Sequence, residues 1–318
     1  MGTRARLLIG ASLFGAVCVA VACGSDANED ASSSSGASGG SSSGTSGGSS
    51  GSFTTSGGPG DGSSGGSSSG SSGGSCTAPV DMYIVQDRSD SMGTDCNIGA
   101  TTNSKWCHCV NALSGYFNSM GATGQAAALQ FFPIGSSQTL CDFPQYGTPA
   151  LPTAGAYTTL PSNSFDALLN STNQAAGTPT QGAIEGIKAF TMANRRPGHV
   201  TIGILITDGD PTKCPIQDPT MLGQLLADHY TATKIRTYVI GMTGATDKNL
   251  ELMAKNAGGP SHPATIGTAT GLCGSTPAPC FHWNVGDGNP AVFEAALAAI
   301  QESADGCKDG GGFINPVN

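Results

Sequence analysis

Between Val80 and Ser303, short β-rich apolar runs alternate with longer stretches whose apolar residues recur at every third or fourth position. The spacing predicts strands at Met82–Gln86, Ala126–Phe132, Val200–Thr207, Ile235–Ile240 and Phe281–Val285. It predicts helices over Ser104–Met120, Ser164–Leu169, Thr180–Ala193, Pro219–Thr231, Asp247–Asn256 and Pro290–Ser303. Strands that regularly give way to helices do not form hairpins. They imply an α/β fold, a doubly wound, mostly parallel sheet with helices on both faces. Such sheets bind ligands beyond the carboxyl ends of their strands, where the strand order reverses.

What precedes the alternation cannot join that core. Arg4 and Arg6 are followed by an apolar segment from Leu7 to Ala22. That is a signal-peptide core, short of the roughly 20 residues a membrane span needs. The segment closes in Ala20-Val21-Ala22-Cys23, which resembles the lipobox of bacterial lipoproteins. The resemblance implies a signal peptide over 1–22 and a lipid on Cys23. Residues 23–75 then hold the anchor cysteine and a Gly/Ser run. That run has too little apolar surface to offset its ordering entropy. About fifty such residues make a tether with an r.m.s. span of roughly 40 Å. The folded domain is expected over 76–307, with 308–318 as a tail. The location implied is extracytoplasmic: lipid-anchored at the cell envelope, at the outer membrane or cell surface, or secreted if Cys23 is not acylated. The only membrane attachment expected is that lipid.

The formal net charge is −9, and no basic patch interrupts it. This argues against nucleic acid as a partner. Nine cysteines follow Cys23: Cys76, Cys96, Cys107, Cys109, Cys141, Cys214, Cys273, Cys280 and Cys307. In an exported chain, disulfides are the default, and an odd number leaves at least one thiol unpaired or shared with another chain. Cys76 and Cys307 bracket the domain and are expected to staple its ends. The competing use is zinc, at Cys107-His108-Cys109 or Cys280-Phe281-His282. Without paired CxxC spacings it is the weaker reading.

Two predicted strands end in acid. Val80–Met92, VDMYIVQDRSDSM, passes from an apolar run into Asp87, Ser89, Asp90 and Ser91. Ile204–Gly209, ILITDG, ends a second strand at Asp208. Between them Gly177-Thr178-Pro179-Thr180 opens a helix with hydroxyls. Alternating Asp87, Ser89 and Ser91 can turn one carboxylate and two hydroxyls toward one point. Hard oxygen donors of this kind suit Mg²⁺, Mn²⁺ or Ca²⁺. If the two acid-bearing strands are neighbours at the switch point, Asp87 and Asp208 meet.

These pieces resemble the von Willebrand factor type A domain. That family carries a metal-ion-dependent adhesion site written as DxSxS, a downstream threonine, and an aspartate after an apolar strand. The matches are Asp87, Ser89 and Ser91, then Thr178 (with Thr180 as the fallback), then Asp208. The resemblance spans about Cys76 to Cys307. It implies a divalent cation held partly by neutral hydroxyls, and a partner protein whose Asp or Glu carboxylate completes the shell. No catalysis is implied. Asp90 stands where relatives often have glycine, and Arg88 is also charged, so the role of Asp90 is open.

Other chemistries fit less of the sequence. An EF-hand counted from Asp87 needs glycine at its sixth position and glutamate at its twelfth, and finds Met92 and Ile98. No GxSxG follows a strand, and His108, His199, His229, His262 and His282 are scattered without a catalytic partner. Asp208-Gly209-Asp210-Pro211-Thr212 resembles the DxDxT loop of haloacid-dehalogenase-type phosphatases. There Asp208 would be a nucleophile and Asp210 a general acid beside Mg²⁺. That reading leaves DRSDS and GTPT unused. A third alternative keeps the fold but not a working metal site, making a structural surface protein.

Overall fold

The first apolar run forms β1 (Val80–Asp87), buried at every position. The structure is a computed structural model that describes residues 78–94, 96–135 and 140–304. The leader, Cys23, the Gly/Ser segment, Cys76, Cys307 and the 308–318 tail lie outside the described residues. After β1 come α1 (Lys105–Asn118), β2 (Ala126–Phe132), the short α2 (Phe143–Tyr146) and β3 (Thr158–Thr159). Next are α3 (Ser164–Ser171), α4 (Thr180–Ala193), β4 (Val200–Thr207), α5 (Pro219–Thr233), β5 (Arg236–Gly241) and α6 (Asp247–Ala254). The chain then makes β6 (Thr265–Ile266), β7 (Ala269–Thr270), β8 (Trp283–Asn284) and α7 (Pro290–Ala304). None of the described helices is long and apolar enough to cross a membrane.

The six-stranded sheet has the order β3-β2-β1-β4-β5-β8. All its pairings are parallel except β2 with the edge strand β3. From β1 the chain moves to one side through α1 and β2, then returns through α4 to place β4 on the other side. The β1/β4 junction is therefore the switch point. Gln86 pairs with Ile206 in that ladder, so Asp87 and the Thr207–Asp208 end of β4 emerge side by side.

Side-chain alternation sends Met82, Ile84, Ile202, Ile204 and Ile206 to one face, under α1, α3 and α7. Tyr83, Val85, Leu205 and Val239 pack on the other, under α4, α5 and α6. Each fully buried aliphatic chain of this size stabilises the fold by roughly 1.5–3 kcal/mol. Close approach on the second face requires glycine: a Cβ on Gly186 of α4 would lie 2.4 Å from the Tyr146 carbonyl oxygen of α2. Helix starts follow their caps. The Ser104 hydroxyl accepts from the Cys107 N–H at the start of α1, and Asp218 accepts from Thr220 and Met221 N–H at α5.

One expected element is shorter than its sequence suggests. Of Phe281–Val285 only Trp283–Asn284 pairs as strand with β5. The Phe281 and His282 N–H groups instead donate to the Glu251 carboxylate of α6, at 2.9 and 3.2 Å. A side chain has taken the donors that a longer ladder would use.

Three disulfides join described residues: Cys96–Cys107, Cys141–Cys214 and Cys273–Cys280. The first ties the loop after β1 to the first turn of α1. The second ties the segment after β2 to the loop after β4. Both brace the carboxyl end of the sheet. Among the described cysteines Cys109 keeps a free thiol, fully buried.

Candidate metal site at the carboxyl end of the sheet

The loop after β1 turns at once into a 3-10 turn, Asp90–Met92. The turn swings Ser89 and Ser91 toward β4. Ser91 Oγ donates to Asp208 Oδ1 at 2.8 Å, Ser89 Oγ lies 2.9 Å from Ser91 Oγ, and Ser89 Oγ donates to Asp208 Oδ1 at 3.4 Å. Three oxygens from two loops thus form a triangle. Thr178 joins from a third loop. A Cβ built on Gly209 would lie 3.3 Å from Thr178 Oγ1 and 3.9 Å from Ser91 Oγ, so both hydroxyls flank the same glycine. Thr180, the fallback, is turned away and donates to the Thr178 carbonyl at 3.4 Å.

Asp87 sits beneath the triangle, fully buried. Its Oδ1 accepts from the Ser89 N–H and its Oδ2 from Thr207 Oγ1, each at 2.7 Å. Burial pushes its pKa up to about 7; the Thr207 hydroxyl opposes this, while the nearby Asp208 charge adds to it. Two carboxylates at the foot of neighbouring strands are the arrangement a cation relieves.

The three loops are pinned to one another by backbone. Arg88 N–H donates to the Phe132 carbonyl, Ala175 N–H to the Arg88 carbonyl, and Thr212 N–H to the Thr178 carbonyl. Thr212 Oγ1 returns a bond by accepting from the Thr178 N–H at 2.8 Å. Arg88 aims its guanidinium outward to the carbonyls of Pro133 and Asn173. Asp90 is exposed.

The sequence-predicted residues Asp87, Ser89, Ser91, Thr178 and Asp208 are therefore gathered at one point. Three neighbours were not predicted as part of it. Thr207 and Thr212 orient Asp87 and Thr178. Lys105, the first residue of α1, forms an ion pair with Asp208 Oδ2 and donates to the Thr243 carbonyl at 2.8 Å. The one available signal for Lys105 was a cation at a helix N-terminus, where acids are favoured.

The rival readings lose their residues to other tasks. Asp210 accepts from Thr246 Oγ1 and Asn249 Nδ2, each at 3.0 Å, at the start of α6. Cys107 and Cys280 are spent in disulfides, which removes both suggested zinc thiolate sets. His262 comes within ligand distance of Cys273 and Cys280, but those two sulfurs are bonded to each other. The histidines are engaged elsewhere: His108 with the Asp287 carbonyl, His199 with Asp81, His229 with Thr191, His262 stacked on Trp283, and His282 with Glu251.

The donors are all hard oxygens, which suit a divalent cation such as Mg²⁺, Mn²⁺ or Ca²⁺. The separations of 2.8, 2.9 and 3.4 Å are those of the hydrogen bonds that gather the three oxygens at one point.

A family model described as "von Willebrand factor type A domain" matches residues 81–270. Comparison with curated proteins found no match. Solved structures of related shape include proximal thread matrix protein 1 from the mussel byssus. Its crystal form 2 is 15% identical, covers 56% of this chain and 42% of that one, and has a TM-score of 0.39. The same protein "with zinc occupied MIDAS motif" is 13% identical, covers 72% of this chain and 49% of that one, and has a TM-score of 0.45. Conserved hypothetical protein BatB from Bacteroides thetaiotaomicron is 14% identical, covers 71% of this chain and 98% of that one, and has a TM-score of 0.41. The chain thus spans less than half the length of the mussel chains.

Proposed function

The chain belongs to the von Willebrand factor type A domain family, and from that premise we propose that it is a non-enzymatic binding module. Its site binds a partner protein's carboxylate through a divalent cation, Mg²⁺ (or Mn²⁺ or Ca²⁺). The observation that carries this is the oxygen triangle of Asp208 Oδ1, Ser89 Oγ and Ser91 Oγ, with edges of 2.8–3.4 Å. Ser89, Ser91, Thr178 and Asp208 would hold the ion directly. Asp87, with both oxygens already bonded to protein groups, would support it from behind. When bound, the cation supplies an incompletely neutralised charge with a position open to an Asp or Glu carboxylate. The chain's part is to present hydroxyls in place of further carboxylates, and to keep the site rigid through three backbone-pinned loops.

The leader and linker support a setting for this module. A lipid on Cys23 and the Gly/Ser tether would hold the domain away from an envelope membrane and let it search. Acyl groups on the mature N-terminal Cys23 are expected by mass spectrometry, and a free unmodified amine there refutes the anchor.

The test of the main reading is calorimetric titration of the purified chain with Mg²⁺ and Mn²⁺. Saturable binding is expected, lost in Ser89→Ala/Ser91→Ala. Capture of envelope proteins should then depend on metal, be abolished by chelator and be inhibited by free carboxylate peptides. Absence of metal binding by the wild-type chain sinks the reading and leaves the structural surface protein.

A further inference from the structure

We propose that Lys105 is a built-in counter-cation for Asp208 which a divalent ion must displace, so that this lysine sets the metal affinity of the site; this rests on the metal-binding reading above. Lys105 is the one cationic side chain that forms an ion pair with Asp87 or Asp208 among the described residues. It contacts Asp208 through Oδ2, while Asp208 Oδ1 belongs to the oxygen triangle. A single carboxylate therefore faces the ammonium on one oxygen and the candidate metal position on the other.

The surrounding structure is built to keep the ammonium there. Lys105 opens α1, where the positive end of the helix disfavours a cation unless a carboxylate holds it. The Cys96–Cys107 disulfide fixes that first turn two residues further on. The Thr243 carbonyl, just beyond β5, accepts from Nζ at 2.8 Å. Gly244, at φ +114°, leaves the space: a Cβ there would lie 2.7 Å from the Asp208 carbonyl oxygen and 3.2 Å from Lys105 Nζ. Glycine is thus required where β4, β5 and the lysine converge.

The competition follows from charge. Asp87 and Asp208 bring at most two negative charges to the site, and Lys105 answers one of them. A divalent ion entering beside Asp208 meets a positive charge held on the same carboxylate. Tethered in place, that ammonium competes at a high local concentration. About a fifth of the lysine side chain reaches solvent, so it has a way out when an ion takes its place.

The experiment uses the full chain, with Mn²⁺ as the probe, read by electron paramagnetic resonance at one pH and ionic strength. Lys105→Met and Lys105→Gln should each bind Mn²⁺ about tenfold or more tightly than wild type, while Lys105→Arg stays within about threefold of it. The second readout is modification of Lys105 by an amine-reactive ester, followed by peptide mass spectrometry. It should speed up several-fold when Mn²⁺ is added to the wild-type chain. Two neutral variants guard against one failing to fold, and circular dichroism confirms each. Wild-type Mn²⁺ binding with unchanged affinity in both neutral variants, or labelling indifferent to Mn²⁺, overturns the role of Lys105 alone. No Mn²⁺ binding by wild type or any variant overturns it together with the metal reading.

Discussion

Asp208→Asn separates the metal contribution of this site from its structural one. In the metal-free state asparagine keeps an oxygen to accept from Ser91, replacing the 2.8 Å bond. It loses the charge that pairs with Lys105. An ion pair whose lysine is partly exposed contributes on the order of 1–3 kcal/mol. Against that loss stands relief of repulsion, because the Asp208 charge is one of the causes that raise the Asp87 pKa. The two effects oppose, so metal-free Asp208→Asn should lie within about 2 kcal/mol of wild type.

With metal the two proteins diverge. A ligand at a hundred times its dissociation constant stabilises the native state by about 2.7 kcal/mol. For a domain of this length, 1 kcal/mol moves the melting temperature by about 2–4 °C. Wild type should therefore melt about 5–11 °C higher in saturating Mg²⁺ or Mn²⁺ than in chelator. Asp208→Asn should gain almost nothing, since it loses the anionic vertex of the oxygen triangle. Scanning calorimetry of both proteins with metal and with chelator makes the four measurements. An equal metal increment in the variant refutes the role of Asp208. A variant that is unfolded in chelator refutes the proposed offset between lysine pairing and carboxylate repulsion.

Other sites give independent tests. His229 is buried with Nε2 3.2 Å from Thr191 Oγ1, and burial lowers its pKa to about 4, helped by Lys188 and Arg195. The folded state then binds fewer protons than the unfolded one between about pH 6.5 and 4. Stability is full above that window, and roughly 2–3 kcal/mol is lost on descending through it; urea midpoints of His229→Leu should show less of this decline. Cys141 and Cys214 are 73 residues apart in sequence, so Cys141→Ser/Cys214→Ser should lower the unfolding free energy by up to about 4 kcal/mol in denaturant titrations. Asp210→Asn weakens the start of α6 by about 1 kcal/mol and should leave Mn²⁺ affinity within about threefold of wild type. Mg²⁺-dependent hydrolysis of a phosphate ester that disappears in Asp210→Asn would instead revive the phosphatase reading.

The strong periods were legible in the sequence. Ala126–Phe132, Thr180–Ala193 and Val200–Thr207 fold between the residues their patterns mark, because each buries a long uninterrupted face. The two-residue strands β3, β6 and β7 carry no period to read and are fixed by their neighbours. Asp87, Ser89, Ser91, Thr178 and Asp208 were legible because each follows or opens a readable element. Lys105 was not, since it lies 18 positions beyond Asp87 in a different element and reaches Asp208 only through the fold. The Phe281–Val285 strand misled for a related reason: apolar content marked it, but a carboxylate on α6 claimed its N–H groups.

Two motif loops carry four aspartates, Asp87, Asp90, Asp208 and Asp210, and sequence position gives each a similar claim on a cation. Folding sorts them. Asp87 ends a strand buried on both faces, so its carboxylate points inward and is held by Thr207 and the Ser89 N–H. Asp208 follows the neighbouring strand and faces the serines. Asp210, two residues on, is drawn off by the start of α6, and Asp90 opens a short turn toward solvent. Only two of the four therefore face the oxygen cluster, and serine and threonine hydroxyls supply the remaining donors. Had Asp210 or Asp90 turned inward, a second carboxylate beside Asp208 among the direct ligands would neutralise a divalent ion there and leave little attraction for a partner. On the proposed reading, the charge that recruits a carboxylate exists because the helix cap and the turn keep two acids out. Lys105 then limits how readily the site fills in the first place.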